Sequence, residues 1–172
     1  MVPEGLEINV YPGDKAHHKS SKTNPRSELL VRQVILDNTE YSFEFDHYIS
    51  MYPQDEYGYV FMQIFGDQDP NIALRYLKGE FELGSKGGLF MEVDGNARDN
   101  VGKWVNWRID FLLANISGYV EVYRNNELFL KIHGNTIDGK TNNNSVLKHG
   151  FYGEAASSQV QSYTKNVILK TK

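Results

Sequence analysis

The sequence predicts an all-β fold: a β-jelly-roll sandwich of two antiparallel sheets. Three observations predict it. Short runs rich in Val, Ile, Tyr, Phe and Leu recur, separated by turn signals roughly every 8–12 residues. Several runs alternate, with one apolar face and one polar or aromatic face, the pattern of a two-sheet sandwich rather than a closed barrel. Helical periodicity never persists beyond two turns. At 172 residues the chain is expected to form a single domain over 1–172.

Residues 1–25 read as an irregular N-terminal segment, because Pro3, Pro12, Gly13 and Pro25 frame a polar stretch. Strand signals begin at 27–36. Residues 41–49 alternate cleanly, with Tyr41, Phe43, Phe45, His47 and Ile49 on one face and Ser42, Glu44, Asp46 and Tyr48 on the other. Residues 51–57 hold Pro53, Asp55 and Glu56 and read as a loop. A strand follows at 58–65, and Gly66-Asp67-Gln68-Asp69-Pro70 ends it as a strong turn. Shorter strands are expected at 72–77, 80–83 and 89–93. Residues 103–113 alternate, with Val105, Trp107, Ile109, Phe111 and Leu113 apolar. Strands at 118–124 and 127–133 flank Asn125-Asn126, and Asn tolerates the left-handed backbone of a two-residue hairpin turn. Strands at 146–152 and 160–169 complete the chain.

Composition narrows the function. The chain has no cysteine, which excludes disulfides, thiolate metal sites and a cysteine nucleophile. A net charge of −4 argues against a general nucleic-acid binder, yet a local Arg/Lys cluster can still attract an anion. No run is long and apolar enough to span a membrane. The first residues lack the basic and apolar regions of a signal peptide. The glycines at 84–88 precede no helix, so they make no phosphate loop. Asp67 and Asp69 could hold a structural calcium, although turn chemistry explains both; no cofactor and no other metal is expected. The aromatic share of 13% is high; strand propensity accounts for it, and flat rings also suit sugar faces.

Strand phase gathers one set of polar groups. In 58–65, Val60, Met62 and Ile64 form an aliphatic face, and Tyr59, Phe61, Gln63 and Phe65 point the other way. In 146–152, Lys148, Gly150 and Tyr152 share a face, and Gly150 leaves room for a ligand between the other two. Arg26, Glu28, Leu30 and Arg32 share a face of the strand that starts near Arg26. A guanidinium, an amide and a phenol on one sheet are the groups needed to handle an acidic sugar.

Three motifs in order carry a resemblance. Arg26-Ser27-Glu28-Leu29, then Gln63-Ile64, then Lys148-x-Gly150-x-Tyr152 resemble the Arg-Ser-Glu-Leu-Arg, Gln-Ile-His and Lys-Ala-Gly-x-Tyr motifs of the jelly-roll, concanavalin-like polysaccharide lyases that cut alginate. Gly102-Lys103-Trp104, Gly118 to Tyr123 and Leu147 to Tyr152 are similar to the glucuronan-lyase and heparin-lyase-like branch. The resemblance covers roughly residues 24–153. It implies β-elimination on a 4-linked uronic-acid polymer. Arg26 and Gln63 would bind and neutralise the uronate carboxylate, so that it accepts charge developing in the transition state. Tyr152 would donate to the leaving oxygen and could also take the C5 proton, with nearby positive charge favouring its phenolate. Lys148 would hold substrate or act on the tyrosine, Glu28 would orient Arg26 or line the substrate site, and Tyr59, Phe61 and Phe65 would offer aromatic surface.

The chain departs from that pattern at Phe65, where the lyases place histidine, and at Leu30, where they place arginine. Either Tyr152 performs both proton transfers or another histidine serves. His47 is a candidate, its strand being expected to pair with the Gln63 strand; His17 and His18 precede Arg26. Phe65 also fits a non-catalytic lectin on the same fold. A glycoside hydrolase ranks third, because no pair of carboxylates is evidently disposed across a cleft. A secreted, extracellular monomer acting on an acidic polysaccharide is the expected setting.

Overall fold

The computed structural model describes residues 4–11, 26–51, 59–66, 70–77, 79–85, 90–93, 97–137, 145–153 and 159–172. They form a sandwich of two six-stranded antiparallel sheets, the expected jelly roll. In chain order the strands are β1 (Leu6–Val10), β2 (Arg26–Ile35), β3 (Glu40–Met51), β4 (Tyr59–Phe65), β5 (Pro70–Leu77), β6 (Glu80–Ser85), β7 (Phe90–Val93), β8 (Trp104–Leu112), β9 (Gly118–Arg124), β10 (Glu127–Gly134), β11 (Ser145–Gly153) and β12 (Val160–Thr171). One sheet runs β1-β12-β3-β8-β9-β10 and the other β2-β11-β4-β5-β6-β7. A 3-10 turn at Ala97–Asn100 leads into β8.

The core lies between the sheets and is built by alternation. On β3 the face expected to be apolar is buried: Tyr41, Phe43, Phe45, His47 and Ile49 are all at most 3% exposed. Val105, Trp107, Ile109 and Phe111 of β8 do the same beside them. The facing sheet contributes Leu147, His149 and Phe151 from β11, and Leu74, Tyr76, Phe81 and Leu83 from β5 and β6. Aromatic rings knit the two sheets: Phe61 lies 5.7 Å and Phe81 5.1 Å from Trp107, and within its own sheet Phe61 stacks on Tyr76 at 4.6 Å. Truncating any one of these rings to alanine would cost about 3–5 kcal/mol. The hairpin expected at Asn125-Asn126 forms, with φ of 51° and 67°, the left-handed pair that such a turn needs.

Two sequence expectations are corrected. Residues 6–10, read as irregular, form the edge strand β1 on β12, with Ile8 and Val10 buried. The His47 strand, β3, pairs with β8 and β12 and not with the Gln63 strand, β4; the two lie in opposite sheets.

Candidate active site

The outer face of the second sheet carries the expected groups, placed by strand register. Lys148 on β11 pairs with Gln63 on β4 and with Leu30 on β2. Tyr152 on β11 pairs with Arg26 on β2 and with Val60 on β4, and Val60 pairs with Arg75 on β5. Leu147, His149 and Phe151 point into the core, so Lys148, Gly150 and Tyr152 take the outer face. The backbone of Arg26 thus stands one strand spacing, about 4.8 Å, from that of Tyr152; the Arg26 side chain lies outside the described residues.

Gln63 reaches this face through a β-bulge. Tyr59 and Phe61 at the start of β4 are in the core, each 1% exposed, and so are Met62 and Ile64. Strict alternation cannot bury both Phe61 and Met62. The register of β4 shifts against β5 between Val60 and Met62, and β11 shifts against β4 between His149 and Tyr152. The extra residue inverts the strand's phase, so that Gln63 and Phe65 point outward with Val60. Tyr59 and Phe61 were expected on the substrate face; the bulge puts both among core rings, out of a polymer's reach. Only the later half of the aromatic face, Phe65, is where the alternation placed it.

The Gln63 amide is 3% exposed and donates from Nε2 to Glu28 Oε1 at 2.7 Å. Glu28 therefore orients the amide. Lys148 Nζ sits 4.2 Å from the centroid of the Phe65 ring. Phe65 pairs with Val146, so the ammonium leans away from Tyr152 and serves the Gln63 end of the face. Gly150 does not leave a ligand space. A Cβ there would lie 2.2 Å from Ser27 O and 2.7 Å from Glu28 Cα, and its φ is +149°. The gap is filled by the backbone of β2, which glycine admits close to β11. Further along the Tyr152 row, Arg75 donates from Nε and Nη2 to the two carboxylate oxygens of Glu82, both at 2.7 Å. The Arg75 side chain remains 38% exposed.

His47, the histidine candidate for proton transfer, lies elsewhere. It is 3% exposed between Phe61 (5.9 Å, stacked), Phe151 (5.7 Å) and Phe45 (6.3 Å). Burial, reinforced by His149, lowers its pKa to about 3. It is a neutral core residue and cannot reach a sugar on the outer face. His149 is also buried, and its pKa is lowered to about 4 by burial. His17, His18, Asp67 and Asp69 lie outside the described residues. Among the described residues no cluster of His, Asp and Glu could hold a metal ion, and no helix is long and apolar enough to cross a membrane.

Comparison with known proteins bears on the family and the fold. The polysaccharide lyase family model matches residues 3–168; the chain belongs to the polysaccharide lyase family. An endo-β-1,4-glucuronan lyase from the fungus Trichoderma reesei superposes with a TM-score of 0.75 at 11% identity, covering 98% of this chain and 81% of that one. An alginate lyase from Pseudomonas aeruginosa gives 0.69 at 18% identity, covering 98% and 83%. A family 7 alginate lyase solved in complex with substrate gives 0.74 at 13% identity, covering 98% and 78%. No curated protein matches the chain.

Proposed function

We propose that this polysaccharide lyase cleaves a 4-linked uronic-acid polymer, such as alginate or glucuronan, by β-elimination on the outer face of the β2-β11-β4 sheet, with Tyr152 as both base and acid. One observation carries the reading: Tyr152 stands in register between Arg26 and Val60, on the same face as Gln63 and Lys148, and among the described residues no histidine shares that face.

The reaction needs three things from the protein. The substrate carboxylate must be neutralised, because the C5 hydrogen beside an ionised acid is a poor acid. Gln63, held by Glu28, offers an amide hydrogen, and Arg26, whose backbone on β2 is in register with Tyr152, would supply a guanidinium. A base must take the C5 proton; its electron pair forms the C4–C5 double bond as the C4–O bond breaks. The leaving oxygen must then be protonated. A single phenolate can take the C5 proton and return it to that oxygen, so the missing histidine at position 65 removes no necessary group. Lys148 and Phe65 supply charge and ring surface beside the reacting sugar. Arg75 extends the same row and can hold the carboxylate of a neighbouring sugar. The protein works as a monomer outside the cell, where such polymers occur.

Hydrolysis fits the face poorly. Of its described carboxylates, Glu28 on β2 sits four strand spacings, about 19 Å, from Glu82 on β6, and Glu80 and Glu82 follow one another along a single strand rather than facing each other across a cleft. Glycoside hydrolysis needs about 5–9.5 Å.

The test is a panel of polyuronates incubated with the protein, followed by near-ultraviolet absorbance of the unsaturated product. Wild type is expected to generate it from at least one polymer, and Tyr152→Phe to lower the rate by a factor of about 1,000 or more. Binding without absorbance would make the chain a lectin. New reducing ends without absorbance would make it a hydrolase.

A further inference from the structure

We propose that His149 is a positioning residue: its imidazole pins the Phe61 carbonyl in the core and so fixes the bulge that turns Gln63 onto the substrate face. This rests on the role given to Gln63 above.

Three observations converge on His149. Its Nδ1 lies 3.0 Å from Phe61 O, at the bulge itself. A carbonyl can only accept, so Nδ1 carries the proton. In the neutral ring Nε2 is then an acceptor, and Thr164 Oγ1 lies 2.9 Å away, its one hydroxyl hydrogen shared between Nε2 and the Asp46 carbonyl. Thr164 belongs to β12 in the opposite sheet, and the same hydroxyl lies 3.1 Å from Asp46 O on β3. The imidazole therefore ties the irregular point of one sheet to the regular ladder of the other. Phe45 at 4.1 Å and Phe43 at 5.8 Å hold the ring from the sides.

Sequence position adds a second link. His149 stands between Lys148, the register partner of Gln63, and Gly150, the partner of Glu28. Those two partners hold the amide and the carboxylate that orients it. If the bulge relaxed by one residue, Gln63 would swing into the core and Met62 outward. The apolar drive to bury Met62 and Ile64 opposes that. Phe61 is already buried with the bulge in place, so its burial gives no drive toward relaxation. What the bulge costs is regular ladder pairing at Phe61, and the imidazole hydrogen bond to the Phe61 carbonyl offsets that loss.

The experiment is a double-mutant cycle between His149→Leu and Gln63→Ala, read by lyase kinetics on the preferred polyuronate. A misplacement of about 1 Å can cost on the order of a hundredfold in rate. We expect His149→Leu to lower kcat by about 10- to 100-fold with KM changed less than about threefold. In the Gln63→Ala background the same change should alter kcat by under about twofold, because the group it positions is gone. His149→Gln, which keeps an N–H donor, should recover most of the loss. Equal losses in both backgrounds, or an unchanged kcat in folded His149→Leu, would overturn the proposal. Should His149→Leu not fold, Thr164→Val takes its place in the cycle, since it frees the ring from the opposite sheet. The side-chain amide resonances of Gln63, followed by nuclear magnetic resonance, give a readout independent of turnover. They should shift or broaden in His149→Leu and in Thr164→Val, and unmoved resonances would refute the positioning even if the protein proved to be a lectin.

Discussion

Acid should unfold this protein through two histidines that cannot reach water. His47 and His149 lie with ring centroids 6.0 Å apart in the sandwich core. Burial lowers their pKa values to about 3 and about 4. In the unfolded chain both would titrate near 6.5. Below about pH 6.5 the unfolded state therefore binds protons that the folded state refuses until pH falls to about 4 or 3. Their contribution to stability is complete above about pH 6.5 and is lost as pH falls below it. Each histidine adds a slope of about 1.4 kcal/mol per pH unit across that window, so the pair adds about 2.7. From pH 6.5 to 4.5 the loss is on the order of 5 kcal/mol, comparable with the whole stability of a modest domain. The perturbation is His47→Phe, which keeps a ring among Phe45, Phe61 and Phe151 but cannot take a proton. Urea unfolding followed by tryptophan fluorescence, from about pH 7.5 to about 4.5, gives stability at each pH. Carboxylates act equally in both proteins and cancel in the comparison. The wild-type curve should fall more steeply than that of the variant by about 1.4 kcal/mol per unit below pH 6.5. Parallel curves would refute the reasoning, since they would mean that His47 already reaches solvent.

Two further outcomes follow from the site. Gly150→Ala forces a methyl to within 2.2 Å of Ser27 O at a φ of +149°. It should destabilise the protein by about 3 kcal/mol or more, read as a lower urea midpoint; an unchanged midpoint would mean that β2 does not press against β11 there. Replacing both members of the Arg75–Glu82 pair with glutamine removes the guanidinium without stranding a carboxylate. It should raise KM for a long polyuronate by about tenfold with kcat nearly constant, as expected for a charged hydrogen bond made equally in ground and transition states. An unchanged KM would remove Arg75 from the binding surface.

The fold was legible because alternation is a local property. Residues 41–49 and 103–113 show their faces in the sequence, and the structure buries those faces. The Asn125-Asn126 hairpin was equally legible, since few residues accept two successive left-handed conformations. Residues 6–10 were obscured by flanking prolines, although Leu6, Ile8 and Val10 alternate. The site was half legible. Lys148, Gly150 and Tyr152 lie on a strand whose outward phase is regular, and period-two reasoning places them. Tyr59 and Phe61 were misplaced because a bulge changes phase between neighbours without a glycine or proline to mark it. His47 was misassigned because the identity of its strand partners depends on contacts between segments far apart in sequence. The significance of His149 could not be read from its own strand, since its partners, Phe61 and Thr164, come from β4 and β12.

Site and core are interleaved residue by residue on β11. Leu147, His149 and Phe151 secure the strand to the interior, and Lys148, Gly150 and Tyr152 take the outer face. On β4 the same division holds only because the bulge resets it: Phe61 closes one run of core residues and Met62 opens the next, with Gln63 projecting just beyond. A strand in this arrangement cannot slip by one residue without exchanging its whole inner and outer sets. Core packing on the Trp107 side therefore fixes where the amide stands on the opposite face. The outer positions carry no such burden. Leu30 is 59% exposed beside Lys148. The fold can hence hold its strand register while the surface around it changes, which is how a chain 11–18% identical to its structural neighbours retains the sandwich while departing from the lyase motifs at positions 30 and 65.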